Sequence, residues 1–186
     1  MQANPTASAA GANPPNLETQ VLDLFAAGVT LGDMFHFSEH DYEAVYALAH
    51  SLYSQGRFDD AMRLFAFLTA SSPYEKRFAN ALASSMQMLK MYKQAIEYYS
   101  VASVMDLMDP MPTFHTAECL MALSHYPEAR QALELVLRQT QTPEREALRA
   151  RATALLEHMS EKKLGAGERP LIDLAKLDEE SAKSTL

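Results

Sequence analysis

Apolar side chains recur three and four residues apart through most of this chain, the spacing that gives a helix one oily face. A longer period lies on top of it. Ala49, Ala83 and Ala117 stand 34 residues apart, and Ala61, Ala95 and Ala129 each follow them by twelve. Leu52, Met86 and Leu120 keep the same interval, as do Phe65, Tyr99 and Leu133. These columns in phase specify three helix pairs, with alanine where paired helices cross closely and larger residues between the crossings. The pattern predicts an all-α chain.

A period of 34 residues is that of the tetratricopeptide repeat, which predicts three such helix pairs over residues 38–141, forming a curved solenoid. Local signals punctuate it. Ser38 and Asp41 can form a capping box, and Gly56 can end the first helix in a left-handed conformation. Ser72-Pro73-Tyr74-Glu75 reads as an N-cap, a first-turn proline and a capping glutamate opening repeat two. Pro110 and Pro112 sit before repeat three, and Pro127 suits the first turn of its second helix. Lys90 and Ser124 replace the turn glycine in repeats two and three.

Thr142-Pro143-Glu144 opens one more helix, whose stripe of Leu148, Ala152, Leu155, Leu156 and Met159 would cap the last open face over residues 142–164. At the other end, 17–37 reads as a helical region, with Val21, Leu24 and Phe25 on one side of an amphipathic segment. Residues 1–16, rich in Ala, Asn, Pro and Ser, read as disordered, and 165–186 as a flexible acidic tail.

The first helix of each pair builds the inner wall of such a solenoid. That points Tyr42, Tyr46, His50 and Tyr53 inward from repeat one, and Asn80, Ser84 and Gln87 from repeat two. From repeat three it points Phe114, His115, Glu118 and Met121. The predicted groove is aromatic and amide-rich with few charges, suited to an extended peptide.

Charge and chemistry narrow the function. Glu18, Asp23, Asp33, Glu39, Asp41 and Glu43 all precede the first basic residue, Arg57, so this arm carries −6 of the net −8. Such an arm repels phosphate backbones and argues against direct nucleic-acid binding. No apolar run has the length of a membrane span, so no membrane insertion is expected. A single cysteine fits a reducing compartment. The segment FHTAECL places His115 and Cys119 on one helical face, but a zinc site needs about four ligands and no CxxC or second histidine pair supplies them. Cysteine catalysis would need an activating base and an oxyanion site, and neither is indicated. Cys119 reads as a small packed residue, and no enzyme activity, metal or cofactor is expected. Eleven methionines suit adaptable apolar packing.

Four stretches carry a resemblance to a known family: GVTLGDM, YALAHSLYSQGRFDDAMRLFAFL, YEKRFANALASSMQM and VASVMDLMDPMPTFHTAECLMAL. Together they span most of residues 28–140. The chain resembles the class II chaperones of bacterial type III secretion, which bind pore-forming translocators. Thr113 and Thr116 depart from that family's proline and alanine. The resemblance implies a cytoplasmic chaperone, in a virulence apparatus, that keeps two hydrophobic translocator proteins soluble by taking an extended segment with spaced Pro and Leu side chains into the groove. Tyr46 and Tyr53 match the family's groove aromatics, while His50 stands where an aromatic can occur. The resemblance further implies a homodimer through about residues 17–45 and, in some members, help to a transcription activator. The alternative is a general tetratricopeptide scaffold gripping an acidic carboxyl terminus, which needs basic inward residues. The stretch RPLIDLAKL in the tail loosely resembles a client segment.

Overall fold

The computed structural model describes Gly28 and residues 30–161. The expected disordered start, the amphipathic segment around Val21 to Phe25 and the acidic tail lie outside the described residues. Among those described, the elements in order are α1 (Leu31–Met34), α2 (Glu39–Ser54), α3 (Phe58–Ser71), α4 (Lys76–Met88), α5 (Tyr92–Met105), α6 (Met111–Ala122) and α7 (Tyr126–Gln139). A short 3-10 turn (Pro143–Arg145) leads into α8 (Glu146–Glu161). Substantial contacts run between consecutive helices from α2 to α8, with α1 set against α3. The architecture is three stacked tetratricopeptide helix pairs, α2–α3, α4–α5 and α6–α7, closed by α8.

The alanine columns explain the stacking. Ala49, Ala61, Ala83, Ala95, Ala117 and Ala129 are all fully buried. A methyl group is the largest side chain that lets two helices approach this closely, so each position is fixed by sterics. Between the crossings, Phe65, Leu68, Phe78 and Leu82 fill the first part of the core. Tyr99 and Cys119 pack beside Ala83 and Ala95. Phe114, Leu133, Val136, Ala152 and Met159 fill the last part, with Leu148, Leu155 and Leu156 against them.

The helix ends follow the sequence signals at most points. Ser38 accepts from the Asp41 N–H while the Asp41 carboxylate accepts from the Ser38 N–H, a complete capping box. Thr30 and Asp33 form a second one at α1. Gly56 has φ +77° and no atom within 4 Å of where a Cβ would stand. Lys90 (φ 62°) and Ser124 (φ 63°) hold the same left-handed conformation without glycine. The turn geometry thus belongs to the repeat and is imposed on side chains that disfavour it.

Two boundaries differ from the sequence reading. Repeat two opens at Lys76, with Glu75 as N-cap and no side-chain cap. Ser72-Pro73-Tyr74-Glu75 is instead a turn, closed by the Glu75 N–H donating to the Ser72 carbonyl at 3.3 Å. The shift lets Lys76 reach the linker that follows α5, where its ammonium meets Asp106 at 2.7 Å and Asp109 at 3.1 Å. Pro112 does not precede α6 but lies buried in its first turn, with Pro110 at the N-cap. A first-turn proline sacrifices no helical hydrogen bond.

Candidate binding groove

The first helices of the pairs do line one face together. An open cavity of about 600 Å³ is bounded by Tyr46, His50 and Tyr53 of α2, Arg77, Asn80, Ala81 and Ser84 of α4, and Met111 and His115 of α6. Phe65 and Tyr99, from second helices, form part of its lining. The wall is aromatic: the Tyr46 ring lies 5.6 Å from Phe65 and 5.8 Å from Phe78, both tilted. Tyr53 meets Phe58 edge-on at 5.1 Å, and its hydroxyl shares a 2.8 Å hydrogen bond with Ser84. These contacts hold the rings in place before any ligand arrives, which lowers the ordering cost of binding.

Other inward candidates do other work. Tyr42 donates to the Ser71 carbonyl at 3.3 Å and sits on Gly32, where a Cβ would lie 1.5 Å from its hydroxyl oxygen. It locks α1 to α3 rather than lining the cavity. Phe114 is buried and does not border the cavity. The reason is α8: Ala152 and Met159 pack in the same cluster, and the Arg151 guanidinium covers the Phe114 ring at 4.6 Å. Met121 packs against the same cluster.

Gln87 and Glu118 belong to a polar network behind the wall. Glu118 accepts from Gln87 Nε2 at 3.2 Å, pairs with His115 Nδ1 at 2.8 Å and meets Arg151 at 3.4 Å. Tyr99 donates to Gln87 Oε1 at 2.8 Å and stacks on the His115 ring at 5.3 Å. Burial alone would raise the Glu118 carboxyl, but the hydrogen bonds from His115 and Gln87 and the nearby Arg151 charge outweigh it and hold the pKa below its ordinary value.

Arg77 adds a basic side chain to a groove expected to carry few charges. Its guanidinium lies over the Tyr46 ring at 5.2 Å and the Phe78 ring at 5.0 Å, and it is ion-paired with Glu43. Glu43 balances its charge, so it serves as a flat lid on the aromatic wall and not as a clamp for a free carboxylate. The signal was available: Glu43, Arg77 and Met111 form one more 34-residue column, a turn before the column of Tyr46, Asn80 and Phe114. Phe65 and Tyr99 were read only as packing residues, yet they are long enough to reach the cavity between first helices.

FHTAECL offers no reactive thiol. Cys119 is fully buried, and burial, with a smaller push from Glu118, raises its pKa to about 12. Among the described residues no group of three His, Cys, Asp or Glu side chains is placed to hold a metal ion. No described helix is long and apolar enough to cross a membrane.

A tetratricopeptide repeat family model matches residues 42–73 and 81–107. The chaperone protein SicA of Salmonella typhimurium is 34% identical over 137 residues, covering 74% of this chain and 81% of SicA. The low calcium response locus protein H of Yersinia pestis is 32% identical over 140 residues, covering 73% of this chain and 82% of that protein. The type III secretion translocator chaperone SycD of Yersinia enterocolitica superposes with a TM-score of 0.65 at 32% identity, over 69% of this chain and 97% of SycD. The chain belongs to the type III secretion translocator chaperone family. Within this family SycD has been solved with a peptide of the translocator YopD, and PcrH with the chaperone-binding regions of PopD and PopB. A type III secretion complex from Aeromonas hydrophila matches with a TM-score of 0.73 at 32% identity, over 78% of this chain and 97% of that one.

Proposed function

We propose that this chain keeps hydrophobic translocator proteins of a type III secretion system soluble in the bacterial cytoplasm until export, by holding an extended apolar segment of each client in the groove. The observation that carries the reading is the groove itself. It offers a volume of about 600 Å³ walled by half-buried Tyr46, Tyr53 and neighbouring aromatics, with its one arginine already paired. Aromatic rings give large contact area at little entropic cost, and the cavity suits Leu- or Pro-sized side chains. Removing such surface from water contributes roughly 25 cal/mol per Å². Ordering an unfolded segment opposes this by about 2–5 kcal/mol, which leaves an affinity that export machinery can overcome.

Two clients are supported by the relative PcrH, whose solved complexes include regions of both PopD and PopB. A homodimer through about residues 17–45 is supported by apolar surface at that end: Phe35 is 71% exposed and Met34 45%, beside Phe37 and Phe67. Such a cluster in an otherwise charged arm favours burial against another copy.

The test is co-expression with the translocators of the same secretion system, followed by measurement of soluble client and of client retained on the tagged chaperone. Wild type should hold both clients in the soluble fraction. The double variant Tyr46→Ala with Tyr53→Ala should fold yet lose retention about tenfold or more, as expected for two central anchors. Undiminished retention by that variant would remove the groove from the mechanism.

A further inference from the structure

His115 borders the groove with its ring held by two aromatic neighbours and a carboxylate. Its ring stacks on Tyr99 and meets Phe114 edge-on at 5.8 Å. Its Nδ1 lies 2.8 Å from the Glu118 carboxylate. That carboxylate is held ionised by its partners, so it can only accept, and Nδ1 carries the proton. In the neutral ring Nε2 is then a bare acceptor. No described residue bonds to Nε2. The ring lines the cavity, with the side chain 29% exposed.

We propose that His115 Nε2 is a fixed hydrogen-bond acceptor for a backbone N–H of the client, and that Glu118 is the positioning residue that keeps it so. This deepens the chaperone reading and rests on it. The orienting arrangement resembles the one that histidine ligands use, where a carboxylate on one nitrogen fixes what the other can do. Its consequence is selective. A helical segment spends its N–H groups internally, except in the first turn. An extended segment has them free. An acceptor set into an aromatic wall therefore favours extended chain over helix, while Tyr46 and Tyr53 read side chains further along.

The test uses the full-length protein at alkaline pH, with the neutral form of the ring checked by its nitrogen shifts. Nitrogen-15 NMR of the imidazole should find Nδ1 protonated and Nε2 bare; the opposite tautomer overturns the proposal. Binding is then measured with three probes: the peptide of YopD that SycD binds and the chaperone-binding regions of PopD and PopB. His115→Phe keeps the stacking but removes the acceptor, and should weaken the best-binding probe by about 5–10-fold, the worth of one hydrogen bond. His115→Gln, whose amide oxygen can reach the place of Nε2, should keep most of the affinity. A scan replacing single backbone N–H groups of that probe by ester oxygens should find one position that weakens wild type but not His115→Phe. Equal binding by wild type and His115→Phe, or no such position, overturns this inference alone. Failure of all three probes to bind wild type would instead overturn the chaperone reading, and this inference with it.

Discussion

Tyr46 and Phe114 occupy the same position of the repeat, 68 residues apart, yet one faces the groove and the other is sealed. The backbone geometry is the same; the neighbours are not. Tyr46 has Arg77 laid over one part of its ring and open cavity beside it. Phe114 has Arg151 over its ring and α8 packed against the cluster it belongs to. A repeat therefore fixes where a side chain points, while the cap decides whether that direction leads to solvent. The aromatic wall of the cavity is concentrated toward repeat one, and repeat three contributes packing together with a polar edge at His115.

The largest effect that would break this comparison is at the sealed end. Phe114→Ala should lower unfolding free energy by about 3–5 kcal/mol in urea melts, through the cavity it leaves. Tyr46→Ala should cost far less stability and far more client retention. If the two variants behaved alike in both measurements, the division of labour would fail. Next, Gly32→Ala should push Tyr42 off its seat against α1, because the added carbon would lie 1.5 Å from the Tyr42 hydroxyl oxygen. A loss of about 1–3 kcal/mol is expected for such overpacking, with groove affinity preserved in whatever fraction stays folded.

Two pH effects probe the repeat-three end further. Glu118 has a folded-state pKa below its ordinary value, so its contribution is present above the unfolded value of about 4.3 and is lost as pH falls through the folded one. Cys119 shifts the other way. Its contribution is complete below about 8.5 and fades as pH rises toward the folded value of about 12. Melting temperature against pH should fall on both sides, and Glu118→Gln should flatten the acid limb. A thiol reagent should leave Cys119 unmodified until the protein unfolds; rapid labelling of native protein would contradict its burial. The smallest effects are at the inter-helix turns. Lys90→Gly and Ser124→Gly should each stabilise by about 0.5 kcal/mol, the relief of a left-handed side chain less the flexibility of glycine. Gly56→Ala should do the reverse.

The fold was readable because alanine crossings, Ser38, Gly56 and Pro127 are local or strictly periodic signals. Tyr46, His50, Tyr53, Asn80, Ser84 and His115 were placed on the cavity by the same period. What escaped depends on contacts between distant residues. The start of α4 is tied to Lys76 reaching Asp106 and Asp109, thirty and more residues away. The burial of Phe114 depends on how α8 lies across repeat three. Arg77 belonged to a column that could have been followed one turn further, but its pairing with Glu43 and its seat over Tyr46 follow from packing alone.

Because the described helices from α2 onward press chiefly on their chain neighbours, no substantial helix contact among the described residues ties the two ends of the row to each other. The arc is a series of joints, and a slight change of angle at each accumulates along its length like the bend of a watch-strap. Small turns at successive joints can thus widen or narrow the groove while every individual joint keeps its alanine seat.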